Sequence, residues 1–477
     1  MTEAGASGPE RKKLVLLSTI AVVDSNDEAL WTPLGILALG TALADVGFEP
    51  VLIDTQVDVD WEHRLRAVLA DDELVLFGVS TLTGPSIDGA LDAISIVREV
   101  RPDLPVVWGG YHASLAKEAI LREGWADYVV RGVGEPAIIP LARLLAATPG
   151  RGAGLPPRPE IAALRRVPNL TIQHEDRFID THTMAQNLDD LPPMDYTLID
   201  PTRYYTPGRR NISYISSYSC PWRCSYCAEP MHTIRKWRPQ GPQRVLEAVD
   251  QIHHDYKPDY IDLVDPNFSS SPPRVVQVAQ MLIEAGNEQS LACNMRATDV
   301  VRLSEMIDLR LLRQAGFSRI FLGLESGSEA MLNTVLKKDS HVEHARLACR
   351  KLDEAGIEQF SSFIHDFPGE TDEDNAQTAE LARELCELQH NKQFHHFFIP
   401  FPATDLYNQL LARSEIDPGK LSVRDWAKAN TYGGWRGLWP GRRDFRERVI
   451  RRLEALKAQH PDKFSYPQTV PEMQVET

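Results

Sequence analysis

Short apolar runs alternate with longer stretches of helical periodicity twice along this chain. In the first pass strands are expected at residues 14–23, 50–53, 74–79, 105–108 and 128–130, with helices near 34–44, 61–69, 87–100 and 116–123. That alternation predicts a doubly wound parallel sheet with helices on both faces, and such sheets bind ligands beyond the carboxyl ends of their strands. Those ends read Ser80-Thr81-Leu82-Thr83-Gly84, Gly109-Gly110-Tyr111-His112-Ala113-Ser114 and Arg131-Gly132-Val133-Gly134-Glu135. Gly109 and Gly110 would let backbone approach a bulky ligand closely, and the Ser and Thr hydroxyls are suited to its polar groups.

The pattern then changes. Residues 146–159 are rich in Gly, Pro and Arg, and a small β segment at 169–179 leads to Leu191-Pro192-Pro193-Met194-Asp195-Tyr196, together reading as a linker over 146–205 that wraps between domains. The second pass places strands at 212–218, 260–264, 291–295, 319–324, 359–364 and 394–399. Helix signals between them are Ser304 as an N-cap, Gly316 and Gly356 as C-terminal stops, and a capping-box variant at Thr371-Asp372-Glu373-Asp374.

Where the first of these strands ends stands Cys220-Pro221-Trp222-Arg223-Cys224-Ser225-Tyr226-Cys227, with three thiols inside eight residues. Three ligands are the informative count. A four-iron cluster held by three thiolates keeps one iron open, whereas a structural zinc wants four N/S ligands, a set that His232 would complete. The spacing resembles the cluster loop C-x-x-x-C-x-aromatic-C of the radical S-adenosylmethionine (SAM) enzymes, with Tyr226 on the aromatic position. The resemblance implies a [4Fe-4S] cluster on Cys220, Cys224 and Cys227, SAM on its open iron, a 5′-deoxyadenosyl radical, and an external electron donor such as flavodoxin or ferredoxin. It also implies that residues 206–402 form a partial (β/α)6 TIM-like barrel with the site at its strand ends. There Asn267, Asn294, Arg296, Glu325 and Ser326 are expected around SAM. Gly323-Leu324-Glu325-Ser326-Gly327 is similar to that family's G-x-E-S segment, and a plain Arg296–Glu325 ion pair is the alternative.

The first 145 residues, through V-S-T-x-T, the Trp108-Gly109-Gly110-Tyr111-His112 turn and R-G-x-G-E, resemble the Rossmann-like cobalamin-binding domain of B12-dependent radical enzymes. That resemblance implies cobalamin against Ser80, Thr81, Leu82, Thr83, Gly109, Gly110, Tyr111, His112, Gly132, Gly134 and Glu135. The D-x-H-x-x-G signature is absent, so no histidine is expected below cobalt, with His112 as the alternative. Two further departures stand out. His365-Asp366 occupies a place where the family commonly has glycine, facing either the substrate or each other as a structural pair, and Ala403 replaces the glycine of an F-P-G-T segment. The last part, 403–477, reads as a small C-terminal domain: Trp426, Tyr432, Trp435 and Trp439 with Gly433, Gly434 and Gly437 pack a core or cap the barrel, and an Arg/Glu helix over 442–460 forms a solvated face.

Composition narrows the function. The 477 residues suffice for two or three domains, and a formal charge of −16 argues against a broad nucleic-acid surface. Of six cysteines, Cys293, Cys349 and Cys386 read as reduced core thiols, and a cytoplasmic setting is expected for an oxidation-sensitive cluster. Arg11-Lys12-Lys13 and the apolar run after it imitate a signal peptide but run into Asp24-Ser25-Asn26-Asp27, and no stretch is long enough to span a bilayer. With both cofactors implied, the resemblance points to methyl transfer from methylcobalamin to an unactivated carbon of a small natural-product intermediate, as in antibiotic biosynthesis. The alternative keeps both cofactors for a cyclisation or ring rearrangement. A cobalamin sensor with a vestigial cluster is opposed by the intact thiol triplet, and a tRNA methylthiolating enzyme by the lack of a second triad.

Overall fold

The structure is a computed structural model, describing residues 12–18, 30–150, 154–232, 236–429 and 442–464. The chain divides into two compact units, one of Met1–Ala21, Pro33–Gln186 and Asp190–Asp200, the other of Val22–Thr32, Asn187–Asp189 and Pro201–Thr477.

The first unit holds β1 (Lys13–Ser18), β2 (Glu49–Asp54), β3 (Leu74–Ser80), β4 (Val106–Gly109), β5 (Tyr128–Val130), β6 (Leu170–His174) and β7 (Arg177–Asp180) in one sheet of order β2-β1-β3-β4-β5-β6-β7. β1 to β5 run parallel, as the alternation predicts. Leu74 to Val79 is buried along its whole apolar run, which is what helices on both faces require. The 169–179 segment, expected within a linker, adds β6 and β7 antiparallel to this sheet's edge. Asn169 fixes the turn in a left-handed conformation (φ 57°), its amide donating to the carbonyls of Val133 at 3.0 Å and Met184 at 2.9 Å. The helix Glu135–Ala147 was hidden in the pattern by two prolines, yet Pro136 sits in its first turn, where a missing N–H costs nothing. The predicted first strand runs past Ser18 into residues outside the described ones.

The second unit holds β8 (Asn211–Tyr214), β9 (Ser217–Tyr218), β10 (Arg238–Pro239), β11 (Tyr260–Leu263), β12 (Ser290–Met295), β13 (Phe317–Glu325), β14 (Glu358–His365) and β15 (Asn391–Phe397). Six of them form a parallel sheet of order β15-β14-β13-β12-β11-β8, the partial barrel. The strand expected over 212–218 is split in two. The buried Asp265 carboxylate accepts from the Ser216 N–H at 2.6 Å and from the Ser216 and Ser217 hydroxyls at 2.7 and 2.6 Å, which peels β9 away to pair with β10.

Gly316 (φ 104°) and Gly356 (φ 67°) end their helices as expected. Thr371 and Asp374 cap the helix Asp372–Cys386 reciprocally. Ser304 is not an N-cap: it lies in the last turn of the helix Ala297–Met306, its hydroxyl bonded back to the Val301 carbonyl at 2.7 Å. The terminal helix Arg443–Gln459 is more than a solvated face, because Phe445, Val449 and Leu453 are buried with Phe397. Trp426 is buried against Tyr407, whereas Tyr432, Trp435, Trp439 and their glycines lie outside the described residues. Among the described residues no helix is long and apolar enough to cross a membrane.

Candidate functional site

The thiol loop is held by its backbone. It leaves β9 through Ser219 in a left-handed turn (φ 70°). Ser225 then donates through its N–H to the Leu336 carbonyl at 2.9 Å and through its hydroxyl to Val335 at 2.6 Å, while its own carbonyl accepts from the Leu406 N–H at 2.9 Å. So fixed, Cys220, Cys224 and Cys227 line one cavity of about 1000 Å³ inside the barrel, together with Tyr226, Asn267, Asn294, Arg296 and Glu325. Burial pushes the Cys220 thiol up to about 11 and Cys227 up to about 12, with Glu229 and the neighbouring thiols acting in the same direction. Left to themselves these sulfurs stay neutral, and a cationic metal centre is what would make them thiolates. Among the described residues no three His, Cys, Asp or Glu groups close to the spacing of a single ion, where sulfurs would stand about 4 Å apart, so the zinc set with His232 does not assemble. Cys220, Cys224 and Cys227, lining one cavity, are the thiols that would hold a multi-iron centre there.

Beside the loop lies an ion-pair group that sequence reasoning only half identified. Lys338 donates to Glu325 at 3.1 Å and to the Tyr226 hydroxyl at 3.3 Å, and Tyr226 donates to Glu325 at 3.0 Å. Arg296 does not pair with Glu325. Its guanidinium stacks 4.0 Å over the Trp222 ring, reaches the Cys224 sulfur at 3.5 Å and donates to the Lys338 carbonyl. The predicted Arg296–Glu325 pair is thus absent, and the Arg296 Nε is buried without a partner, as a carboxylate-binding group would be before its ligand arrives. Lys338 carried no motif, because it is brought here by the 336–339 turn, with Lys337 and Asp339 both at positive φ.

The G-x-E-S-G segment has a steric explanation. Glu325 is itself left-handed (φ 68°) and folds back over Gly323, where an added Cβ would stand 2.5 Å from its carboxylate. Gly327 packs against the backbone of Gln377 and Thr378, where a Cβ would be 2.5 Å from a carbonyl. Ser326 is directed away from the cavity, its hydroxyl 3.1 Å from that of Thr378. Asn267 and Asn294 reach the cavity but are also engaged, with Asp299 at 3.0 Å and the Asp265 carbonyl at 3.0 Å.

Alternate residues of β13, β14 and β15 face the cavity and form layers. At the amino ends Glu358 accepts from Arg319 at 2.9 Å and from Lys392 at 3.0 Å. Above this floor Phe321, Phe360 and Phe394 stack, and Gly323, Ser362 and His396 come next toward the thiols. His365 and Asp366 do not join that wall. His365 bonds to the buried His395 at 3.0 Å and to the Asn375 amide at 3.0 Å, so the structural alternative holds for it, although its partner is not Asp366. Asp366 occupies a left-handed position (φ 60°) and pairs, fully buried, with Arg446 and, at 3.2 Å, Arg442, tying the terminal helix to the barrel.

In the first unit the expected cofactor loops gather at the carboxyl ends of β3, β4 and β5. Several residues there serve the loops themselves. Thr81 is buried, its hydroxyl accepting from the Trp108 indole at 2.9 Å. Gly110 (φ 91°) lets one loop meet another rather than a ligand: a Cβ would lie 2.7 Å from the Thr81 carbonyl. Gly134 likewise makes room for Leu39, and Glu135 is buried as the first residue of its helix. His112 is fully buried, 3.2 Å from the Thr83 hydroxyl, and burial pushes its pKa down to about 3. It does not reach an open face. Leu82 does, 49% exposed, and Ser80, Thr83, Gly109, Tyr111 and Gly132 are partly exposed in the same three loops, the side chains and backbone left there for a ligand beyond the strand ends.

Comparison with known proteins adds to this geometry. A family model described as the radical SAM superfamily matches residues 214–382, and one described as the B12 binding domain matches 20–141. The chain is 26% identical to the anaerobic magnesium-protoporphyrin IX monomethyl ester cyclase of Cereibacter sphaeroides over 81% of its own length, and spans only 61% of that relative. An uncharacterised methyltransferase of Pyrococcus horikoshii is 23% identical over 84% of this chain and 82% of its own. Among solved structures, the radical SAM methyltransferase TsrM of Kitasatospora setae, with cobalamin and a [4Fe-4S] cluster bound, shares the fold at a TM-score of 0.66 and 18% identity, covering 85% of this chain and 78% of that one. The radical SAM domain implies a [4Fe-4S] cluster and SAM, and the B12 binding domain implies cobalamin.

Proposed function

A chain that joins a B12 binding domain to a radical SAM domain belongs with the cobalamin-dependent radical SAM proteins, and from that premise we propose a methyltransferase acting on an unactivated carbon of a small molecule. One observation carries the reading: the three cluster-loop sulfurs and the Arg296, Lys338 and Glu325 side chains open onto the same cavity. Cys220, Cys224 and Cys227 would hold the cluster, Arg296 would take the SAM carboxylate, and Glu325 its amine or ribose. Leu82, with Ser80, Thr83, Gly109, Tyr111 and Gly132 of the neighbouring strand ends, would take cobalamin. Bound there, cluster and SAM supply a radical that can open a C–H bond with no acidic proton, and cobalamin supplies the methyl group.

The protein's own work is positional. Trp222 holds the Arg296 guanidinium by its face, and Lys338 neutralises Glu325. An external donor such as flavodoxin or ferredoxin would reduce the cluster. A second reading, cyclisation without methyl transfer, is favoured by the cyclase relative.

Anaerobically reconstituted protein given methyl-labelled SAM and candidate metabolites tests both. S-adenosylhomocysteine, 5′-deoxyadenosine and labelled product together are the expected result. A product formed with 5′-deoxyadenosine alone supports the cyclase, and turnover unchanged in Cys224→Ala defeats both.

A further inference from the structure

We propose that Arg296 sets the reduction potential of the iron–sulfur centre: its guanidinium donates to the Cys224 sulfur, and Trp222 holds it there. This rests on the reading that Cys220, Cys224 and Cys227 carry the cluster, and adds a residue that tunes it.

Arg296 is fixed from several sides. It immediately precedes the helix Ala297–Met306, and its backbone N–H donates to the Ser269 hydroxyl at 3.3 Å. One terminal nitrogen of the guanidinium donates to the Lys338 carbonyl, while the other lies 3.5 Å from the Cys224 sulfur. Its central carbon stands 4.0 Å from the centre of the Trp222 ring, where the negative face of the indole attracts a cation. The residue is buried, so water screens its charge poorly.

The three sulfurs do not receive equal donors. The backbone N–H of Trp222 faces the Cys220 sulfur and that of Glu229 faces Cys227, both favouring the thiolate. Those donors are neutral dipoles. Cys224 instead faces a guanidinium, which keeps its proton in proteins and carries a full charge. Hydrogen bonds from a charged donor are roughly twice as strong as neutral ones. The other nearby cation, Lys338, is already paired with Glu325.

Reducing a [4Fe-4S] centre adds one electron, taken from an external one-electron donor, and neither forms nor breaks a bond at these sulfurs. The added negative charge is attracted to the cation beside Cys224, so Arg296 favours the reduced state and raises the potential.

Full-length protein, reconstituted anaerobically with iron and sulfide and kept free of SAM, can be titrated with dithionite and viologen mediators while the electron paramagnetic resonance of the reduced cluster is followed. Arg296→Met, which leaves apolar bulk against Trp222, should lower the equilibrium constant for one-electron reduction at least about tenfold, equivalent to ~59 mV. Arg296→Gln keeps an N–H donor without the charge and should fall between that variant and the parent. Trp222→Leu, which removes the ring that holds the guanidinium, should shift the constant in the same direction by about threefold. Iron content and thermal unfolding of each variant separate a changed potential from a lost cluster or fold. A midpoint unchanged in an iron-loaded Arg296 variant overturns the proposal, and one unchanged in Trp222→Leu alone removes Trp222 from it. A parent protein that takes up no iron overturns it together with the cluster assignment. The titration needs neither SAM nor substrate, so a lowered potential in the variants beside a parent that transfers no labelled methyl would reject the methyltransferase reading and leave this one standing.

Discussion

The Lys338 ammonium donates to the Glu325 carboxylate at 3.1 Å with both side chains less than a tenth exposed, beside the thiol loop. A buried pair of this kind is held less for stability than for what it orients, and removing one member strands the other charge. Lys338→Met should lower unfolding stability by about 3 kcal/mol and weaken SAM binding at least about tenfold, with iron content after reconstitution unchanged. Calorimetric titration of SAM together with iron analysis decides it; unaltered SAM affinity would remove Lys338 from the site.

Gly110 brings the β4 turn onto Thr81 at a φ of 91°. Gly110→Ala puts a methyl group 2.7 Å from the Thr81 carbonyl, so the loops must separate. Cobalamin retained per protein, read from its absorbance, should fall at least about tenfold, while the three cysteines still take up iron. Loss of iron with full cobalamin would contradict the assignment of these loops.

Asp366 stands at a left-handed position that favours glycine and neutralises Arg446 and Arg442. Asp366→Ala loses both charge partners and keeps the backbone strain, and should cost about 3–5 kcal/mol in chemical denaturation. Asp366→Gly should recover about 1 kcal/mol of that by relieving the backbone. Equal stability of the two variants would show that φ is immaterial there.

Glu370 gives a pH signature. Burial, with Asp366 nearby, raises its carboxyl from 4.5 to about 7, against the Phe367 N–H at 3.0 Å, the Asn375 amide and Arg442. Between these values the unfolded chain ionises and the folded one does not, so its contribution to stability is present below pH 4.5 and is lost as pH rises toward 7. Glu370→Gln lacks this loss. Its melting temperature relative to the parent should climb from pH 5 to pH 7.5, equivalent to about 2–3 kcal/mol. A constant difference across that range would mean that Glu370 is charged throughout.

Local rules made much of this protein legible in its sequence. The alternation of apolar runs and helical stretches determined two α/β layers, because a parallel strand buried on both faces must read as an unbroken apolar segment. Spacing alone singled out Cys220, Cys224 and Cys227, which line one cavity. What needed the tertiary structure was every relationship between distant residues. Lys338 joins Glu325 and Tyr226 through a turn with no motif, and Arg296 turns out to face Trp222 rather than Glu325. For His365 and Asp366 the sequence left a substrate-facing role and a structural pair both open, until the fold paired them with His395 and with arginines of the last helix, some 80 residues away in sequence for Arg446. Likewise Phe321, Phe360 and Phe394 are ordinary strand residues until parallel register stacks them on one wall. Sequence fixes which groups exist and which local backbone holds them. Only packing decides which of them meet, because hydrogen bonds, ring contacts and ion pairs act over a few ångströms and carry no memory of distance along the chain.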